Sequence, residues 1–390
     1  MQRILVLNSG SSSVKAAIFE GQERKLRAEA RQLITPNATL RLEPANAAAE
    51  EQGIPQQSAA EGVATVLRAL EARGWLEGVV AVGHRIVHGG REFREPTLLT
   101  PYVLEAVRGL IPLAPLHEPA EIAAMEEVAR GFPHLPQVLC FDTSFHRSMP
   151  AIAERYPLTQ ELHDLGVIRY GFHGLSYEWV VQTLQQRGAL PHRMIVAHLG
   201  NGCSMAAVLD GRGVDTTMGL TALCGLPMAT RPGDLDPGVL LYLQRELGYS
   251  LEQLEQLLYF QSGLLGISGK WSDVQDLLAQ EAHEPRAALA LEMFCYAVRK
   301  TIGAYAAVLG GVDAIVFTGG IGQYASSIRA RVLSQLGFLG VDFDPVANGN
   351  NAAVISTAGS AVRVEMIAAN EEAMIAKHTA KLCRDLPARA

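Results

Sequence analysis

Ile4-Leu-Val-Leu-Asn-Ser-Gly-Ser-Ser-Ser-Val-Lys-Ala-Ala-Ile-Phe-Glu-Gly21 reads as a strand, a tight polar turn and a second strand. Ile4 to Leu7 and Val14 to Phe19 are apolar runs, and the residues between them cannot form the core of a helix. One Gly and several Ser put backbone N–H groups and hydroxyls on a surface with little bulk, which suits a phosphate oxygen. Taken alone, an ordinary hairpin with a soluble loop is the stronger reading. A second copy shifts the balance. Met194-Ile-Val-Ala-His-Leu-Gly-Asn-Gly-Cys-Ser-Met-Ala-Ala-Val-Leu-Asp-Gly211 aligns with it without a gap, Asn8 falling on His198 and Ser11 on Asn201. Self-similarity at nearly half the chain length points to two related halves whose turns clamp a polyphosphate.

The 390 residues suffice for two domains, and 48% hydrophobic against 19% charged residues excludes general disorder. A net charge of −7 offers no basic face to nucleic acid or anionic lipid, so cations that bind anions must be gathered locally. Five scattered cysteines without CxxC spacing argue against metal and disulfide frameworks and fit a reducing compartment. The short apolar run after Met1-Gln-Arg is too brief for a signal peptide, and the apolar segment 287–310 carries Glu292, Arg299 and Lys300. These features predict a soluble cytoplasmic protein.

Residues 21–59 are weakly patterned. Helical spacing is expected over 60–73, 119–130, 175–187, up to 309, and over 370–382; strands are expected over 79–90, 137–142 and 314–317. Asp236-Pro237 reads as an N-cap with Pro at the first helical position. Alternating strands and helices, with a hairpin opening each half, predict an α/β fold with mixed sheets.

The residues that could do chemistry each have a plainer reading. Gly320-Ile-Gly-Gln-Tyr-Ala325 after a strand, with Asp342 about twenty residues on, fits the dinucleotide fingerprint and makes an NAD-dependent oxidoreductase a rival. Gly266-Ile-Ser-Gly-Lys270 has the wrong spacing for a phosphate loop. His84 and His88 could suggest zinc, but lack an accompanying acid and read better as structural. Asp142 closes a strand, where it caps the next turn or stands on the magnesium side. Arg231 could pair with Asp234 or Asp236, or, in its Gly/Pro loop, fork onto a carboxylate or phosphate. Arg85 is the other suggestive cation, and His173 could be a core histidine.

At these residues the chain resembles the acetate kinase (acetokinase) family, within the acetate and sugar kinase, Hsp70 and actin superfamily. The resemblance spans essentially the whole chain. It rests on Asn8-Ser-Gly-Ser-Ser-Ser-Val-Lys15, Gly83-His-Arg-Ile-Val-His-Gly-Gly90, Phe141-Asp-Thr, Arg169-Tyr-Gly-Phe-His-Gly174 and His198-Leu-Gly-Asn-Gly202. It implies a duplicated, two-domain actin-like (ribonuclease H-like) ATPase fold with an interdomain cleft. The lobes would be 1–143 plus 373–390, and 144–372 carrying the nucleotide. It also implies a homodimer, ATP as phosphoryl donor, a small carboxylate as acceptor, and Mg²⁺ or Mn²⁺ as cofactor. Asn8, Asp142 and Glu371 would organise the metal side. Arg85 and Arg231 would hold the carboxylate and the moving phosphoryl group, and His173, Arg231 and His117 would steady the transition state. Val87, Leu116, Phe172 and Ala222 would surround the acyl methyl. Ser11, Ser13, Lys15, His198, Leu199, Gly200, Asn201 and Gly202 would line the phosphates. Asp273, Val274, Gln275, Gly320, Ile321, Gly322, Gln323 and Tyr324 would lie near the adenosine.

The chain departs from the family pattern in places. Ala222 replaces a proline of the family's acyl pocket, which opens space for propionate, and a propionate or short-chain acyl kinase is the nearest alternative. Val274-Gln275 and Gln323-Tyr324 replace Phe-Arg and Glu-Asn, where the nucleotide would rest. A non-catalytic nucleotide switch is a more distant alternative.

Overall fold

A computed structural model describes residues 2–10 and 12–384, so Ser11 of the first turn lies outside the described residues. The chain divides into two compact units: the residues up to Ser144 together with those from Asn370 onward, and Phe145–Ala369. The return to the first unit comes at Asn370 rather than 373, because the last helix, Glu371–Arg384, belongs to it whole.

The first unit holds β1 (Arg3–Ser9), β2 (Val14–Glu20), β3 (Glu23–Arg31), β4 (Thr39–Pro44), β5 (Glu50–Gly53), β6 (Val79–Ile86), β7 (Thr97–Leu98) and β8 (Gln137–Phe141). They form one sheet in the order β5-β4-β3-β2-β1-β6-β8-β7. The central strands are apolar almost throughout because helices cover both faces. Leu5, Leu7 and Val82 pack with Val63, Val66 and Leu70 of helix Ala59–Glu71 and with Ala124 and Val128 of helix Glu118–Gly131. On the opposite face, Gly83 lies so close to Ile375 and Thr379 of helix Glu371–Arg384 that a Cβ there would strike both.

The second unit holds β9 (Arg193–Leu199), β10 (Cys203–Leu209), β11 (Arg212–Thr216), β12 (Ala314–Thr318) and β13 (Arg363–Met366), in the order β11-β10-β9-β12-β13. Its strands pack against helix Gly174–Gln186 through Tyr177, Val180 and Leu184. The order repeats β3-β2-β1-β6-β8 with the same senses: the first three strands antiparallel, the last three parallel. The duplication inferred from two hairpins therefore extends to five strands in each unit.

The two hairpins differ at their turns, where the gapless alignment fails. β1–β2 closes at Ser9↔Val14, whereas β9–β10 closes at Leu199↔Cys203, a loop one residue shorter. The second arms are therefore out of step: Asn8 stands opposite Lys15, but His198 stands opposite Ser204. Residues 21–59, which lack a clear pattern, contain β3, β4 and β5. Asp236 caps helix Pro237–Arg245 through the Gly238 N–H, as its sequence context predicts.

Candidate functional site

In the first unit the carboxyl ends of β1, β6 and β8 and the start of the last helix gather the polar groups. Arg85 leaves β6 and forks onto Asp142, Nη2 to Oδ2 at 2.5 Å and Nε to Oδ1 at 3.2 Å. Its Nη1 reaches Asn8 Oδ1 at 3.4 Å, and Glu371 Oε2 lies 3.8 Å from Nε. Burial works against the Arg85 charge, but Asp142 and then Glu371 outweigh it and raise the pKa of the guanidinium. Asn8, Arg85, Asp142 and Glu371 are thus brought together. Val87 is buried just beyond Arg85, and Leu116 and His117 lead into helix Glu118–Gly131.

The turn after Arg85 has an unusual hydrogen-bond pattern. Four consecutive amides donate to side chains: Val87 to Glu121 Oε2, His88 to Glu118 Oε1, Gly89 to Thr143 Oγ1 and Gly90 to His88 Nδ1, each at 3.0 Å. The sequence reading missed Glu118 and Glu121. The available signal was two acids one turn apart beside Ile122 and Met125, on the face a helix normally buries.

In the second unit, His173 precedes helix Gly174–Gln186 with φ +57°, a left-handed backbone that a non-glycine residue holds at some cost. Its Nδ1 lies 2.8 Å from Ser204 Oγ, which also bonds Tyr177, and its ring stacks on His198 at 4.2 Å. His198 Nδ1 is held by Ser176 Oγ at 2.9 Å. Gly202 is the point of closest approach: a Cβ there would meet Arg231 Nη2 at 2.9 Å and His173 Nε2 at 3.3 Å. Arg231 donates to the Ala222 carbonyl at 2.8 Å, and no carboxylate pairs with it among the described residues. Asp234 accepts from the Gly225 N–H and Asp236 serves as its helix cap, so neither is the partner the sequence left open. Burial lowers the Arg231 pKa. A half-buried cation beside a glycine and an imidazole nitrogen suits an incoming anion. Phe172 is buried next to His173.

Other expected residues fall around these clusters. Ser13 O accepts from the Gly10 N–H at 2.8 Å, and Lys15 lies 3.9 Å from Glu29. Leu199 is buried, while Gly200 and Asn201 form the short β9–β10 turn, with Asn201 O accepting from Ala229 N. Gly319, at φ +77°, lies directly against the Leu199 backbone and opens helix Gly319–Tyr324, which carries Gly320, Ile321, Gly322, Gln323 and Tyr324. Asp273 caps helix Val274–Gln280; Val274 is 3% exposed, so only Gln275 of that pair presents a side chain. Arg329, also missed by the sequence reading, holds this region. It is fully buried and its five donors reach the carbonyls of Gly322, Gln323 and Asn348 and the side chains of Asn348 and Asn351, at 2.6–2.9 Å.

The residues behind two rival readings have local partners. Asp342, the acid of the dinucleotide fingerprint, accepts from Thr357 Oγ1 in a loop. His84 bonds Gln137 Oε1 at 2.7 Å and His88 receives the Gly90 amide, so each serves its own network. Among the described residues no three His, Cys, Asp or Glu side chains cluster to cage a metal. Mg²⁺ needs only one or two carboxylates beside phosphates and water, and the all-oxygen set of Asn8, Asp142 and Glu371 fits that demand. No helix among the described residues is long and apolar enough to cross a membrane.

Residues 3–377 match the model of the Acetokinase family. A relative from Nitrobacter hamburgensis named acetate kinase is 44% identical, over 99% of this chain and 97% of its own. Among solved structures, a propionate kinase from Francisella tularensis superposes with a TM-score of 0.93 at 38% identity, covering 98% of this chain and all of that one. An acetate kinase from Porphyromonas gingivalis superposes with a TM-score of 0.90 at 36% identity, with the same coverage.

Proposed function

Since the chain belongs to the Acetokinase family, we propose that it moves the γ-phosphoryl group of ATP to the carboxylate of acetate, reversibly, giving acetyl phosphate and ADP. The acceptor is already ionised near neutral pH, so no general base is needed. One carboxylate oxygen bonds to the γ-phosphorus while the bond from phosphorus to the ADP oxygen breaks, that electron pair leaving with ADP. The difficulty is bringing two anions together. The observation that carries this reading is Arg231: a half-buried guanidinium with no carboxylate partner among the described residues, beside His173 Nε2 at Gly202.

Arg231 and His173, with His117, are assigned to the charge on the equatorial oxygens in the transition state. Ser204 and Ser176 fix the two stacked imidazoles. Arg85, held by Asp142, is assigned to the acceptor carboxylate, and Val87, Leu116, Phe172 and Ala222 to its methyl group. Ser13, Lys15 and the 198–202 turn are assigned to the phosphates, together with Ser11, and the 273–275 and 320–324 segments to the adenosine. Asn8, Asp142 and Glu371 would hold Mg²⁺ or Mn²⁺, which would supply positive charge to the phosphate oxygens. A cytoplasmic homodimer completes the proposal; exposed Val239, Leu241, Tyr242 and Leu247 give the second unit an apolar face for a second copy.

Trapping acyl phosphate with hydroxylamine tests this reading, using acetate, propionate and butyrate against ATP and GTP. Acetate- and ATP-dependent hydroxamate is expected. None from any short acid would overturn it. Propionate as the better acceptor would select the second reading, which the small Ala222 side chain favours.

A further inference from the structure

Glu118 and Glu121 are the two most completely buried acids of the first unit besides Asp142, at 0% and 2% exposure, and neither is assigned a part in the chemistry above. They lie at i and i+3 on one helix, which sets their Cβ atoms about 5–6 Å apart. Each accepts a backbone amide of the turn that follows Arg85. Arg85, the cation that acts on Glu121, already serves Asp142 and lies beside Glu371, so its charge is divided among several carboxylates.

We propose that Glu118 and Glu121 are positioning residues for the carboxylate substrate: while the buried pair keeps a proton, they clamp the amides of Val87 and His88, and the clamp opens when that proton is lost. The assignment to the acceptor rests on the acetokinase reading; the clamp itself rests on the hydrogen bonds. Burial pushes Glu118 up to about 8, although the His88 amide works against it. Burial, and then the neighbouring Glu118, hold Glu121 well above the ordinary carboxylate range. A carboxyl kept neutral by its surroundings still accepts an amide through its carbonyl oxygen. A second negative charge one helical turn away would repel the first, loosen the turn and lower the positive potential around Arg85.

The other titratable groups on the packed elements do not replace this proton. His84 is bonded to Gln137, and burial lowers its pKa to about 4. His88 contributes its amide and receives that of Gly90, and His117 begins the same helix. Helix Ala59–Glu71 carries Glu61 on Ser58 and Arg68 on Thr65. Helix Pro101–Arg108 carries Arg108, joined to Glu105 and Glu126, and β1 carries Arg3, joined to Glu20.

The test compares the wild type with Glu118→Gln, Glu121→Gln and the double variant, since Gln keeps the accepting oxygen but cannot ionise. KM for acetate and for ATP is measured from about pH 6.5 to about pH 9.5, each protein normalised to its own value at the acid end. In the wild type KM for acetate is expected to rise roughly tenfold above about pH 8 while KM for ATP stays level. The rise should be reduced in each single variant and absent in the double. The same rise in all four proteins overturns the inference, as does a parallel rise in KM for ATP. Hydrogen exchange of the 87–90 amides, corrected for the intrinsic effect of pH, is read on the same samples without substrate. Alkaline acceleration in the wild type alone supports the clamp even if no acyl phosphate forms, which would count only against the functional reading. Equal acceleration in the Gln variants overturns the clamp.

Discussion

A half-buried guanidinium whose partner among the described residues is the Ala222 carbonyl is a poor device for stability and a good one for an anion. Arg231→Ala should therefore lower kcat by about 10²–10³, the usual loss when one donor to transition-state charge is removed. Thermal unfolding of the free protein should stay level or move up, because the variant discards a half-buried charge that no carboxylate pairs among the described residues. A fall in Tm with little change in kcat would assign Arg231 to the scaffold. Ala222 lends itself to a second test, since its carbonyl holds Arg231 while its methyl is proposed to face the acyl chain. Ala222→Pro keeps the carbonyl and adds bulk. It should shift relative kcat/KM from propionate towards acetate by about 1–3 kcal/mol, the value of one methylene in an apolar pocket. An unmoved ratio would place the discriminating wall elsewhere.

Among the elements, helix Gly319–Tyr324 is too short to hold its own shape and depends on Arg329, whose donors satisfy the carbonyls of Gly322 and Gln323. Arg329→Met leaves the buried Gly322 carbonyl unpaired, at about 1–3 kcal/mol, and the half-buried Gln323 carbonyl without its donor. KM for ATP should rise roughly tenfold while KM for acetate stays level. Steady-state kinetics with each substrate varied in turn decides it. Arg329 was illegible in the sequence because its partners are uncharged carbonyls and amides, which leave no charge pattern. The hairpins were legible because doubly covered strands must be apolar throughout. β3 was not: Glu-Arg-Lys-Leu-Arg-Ala-Glu-Ala-Arg is built of helix formers, and its buried face is marked only by Leu26, Ala28 and Ala30. β5 is fully exposed and has no apolar face to read. The slip between the two hairpins lies in a single loop residue, which a gapless alignment cannot register. Of Arg85, Asp142 and Asn8, only Asp142 was marked by its place at a strand's carboxyl end; the three were grouped by the family resemblance, and the structure sets them at the carboxyl ends of neighbouring strands of one sheet.

For the whole molecule, the two units should answer differently to alkali. A carboxyl whose folded pKa is raised binds more protons in the native state, so its stabilising contribution is complete below its unfolded value and is lost as pH rises through the folded one. For Glu118 that window runs from about 4.5 to about 8, and Glu121 extends it. The second unit has no such pair among the described residues. Its raised groups are Asp215, whose ordinary value is 3.8, and groups such as Cys203 and Tyr305, whose ordinary values are 9.0 and 10.0 and whose windows open only above them. Acid acts on both units alike. Burial lowers His84 in the first to about 4 and His146 in the second to about 3, so both lose stability as pH falls below the ordinary histidine value. Between about pH 6.5 and about pH 9, exchange of the β6 and β8 amides should therefore accelerate beyond the intrinsic rate, while that of β9 and β12 should not. The double Glu118→Gln, Glu121→Gln variant should remove the difference, because its side chains have no proton to lose. Equal acceleration of both units in the wild type would mean that they unfold as one cooperative body and that the buried pair does not set the alkaline limit.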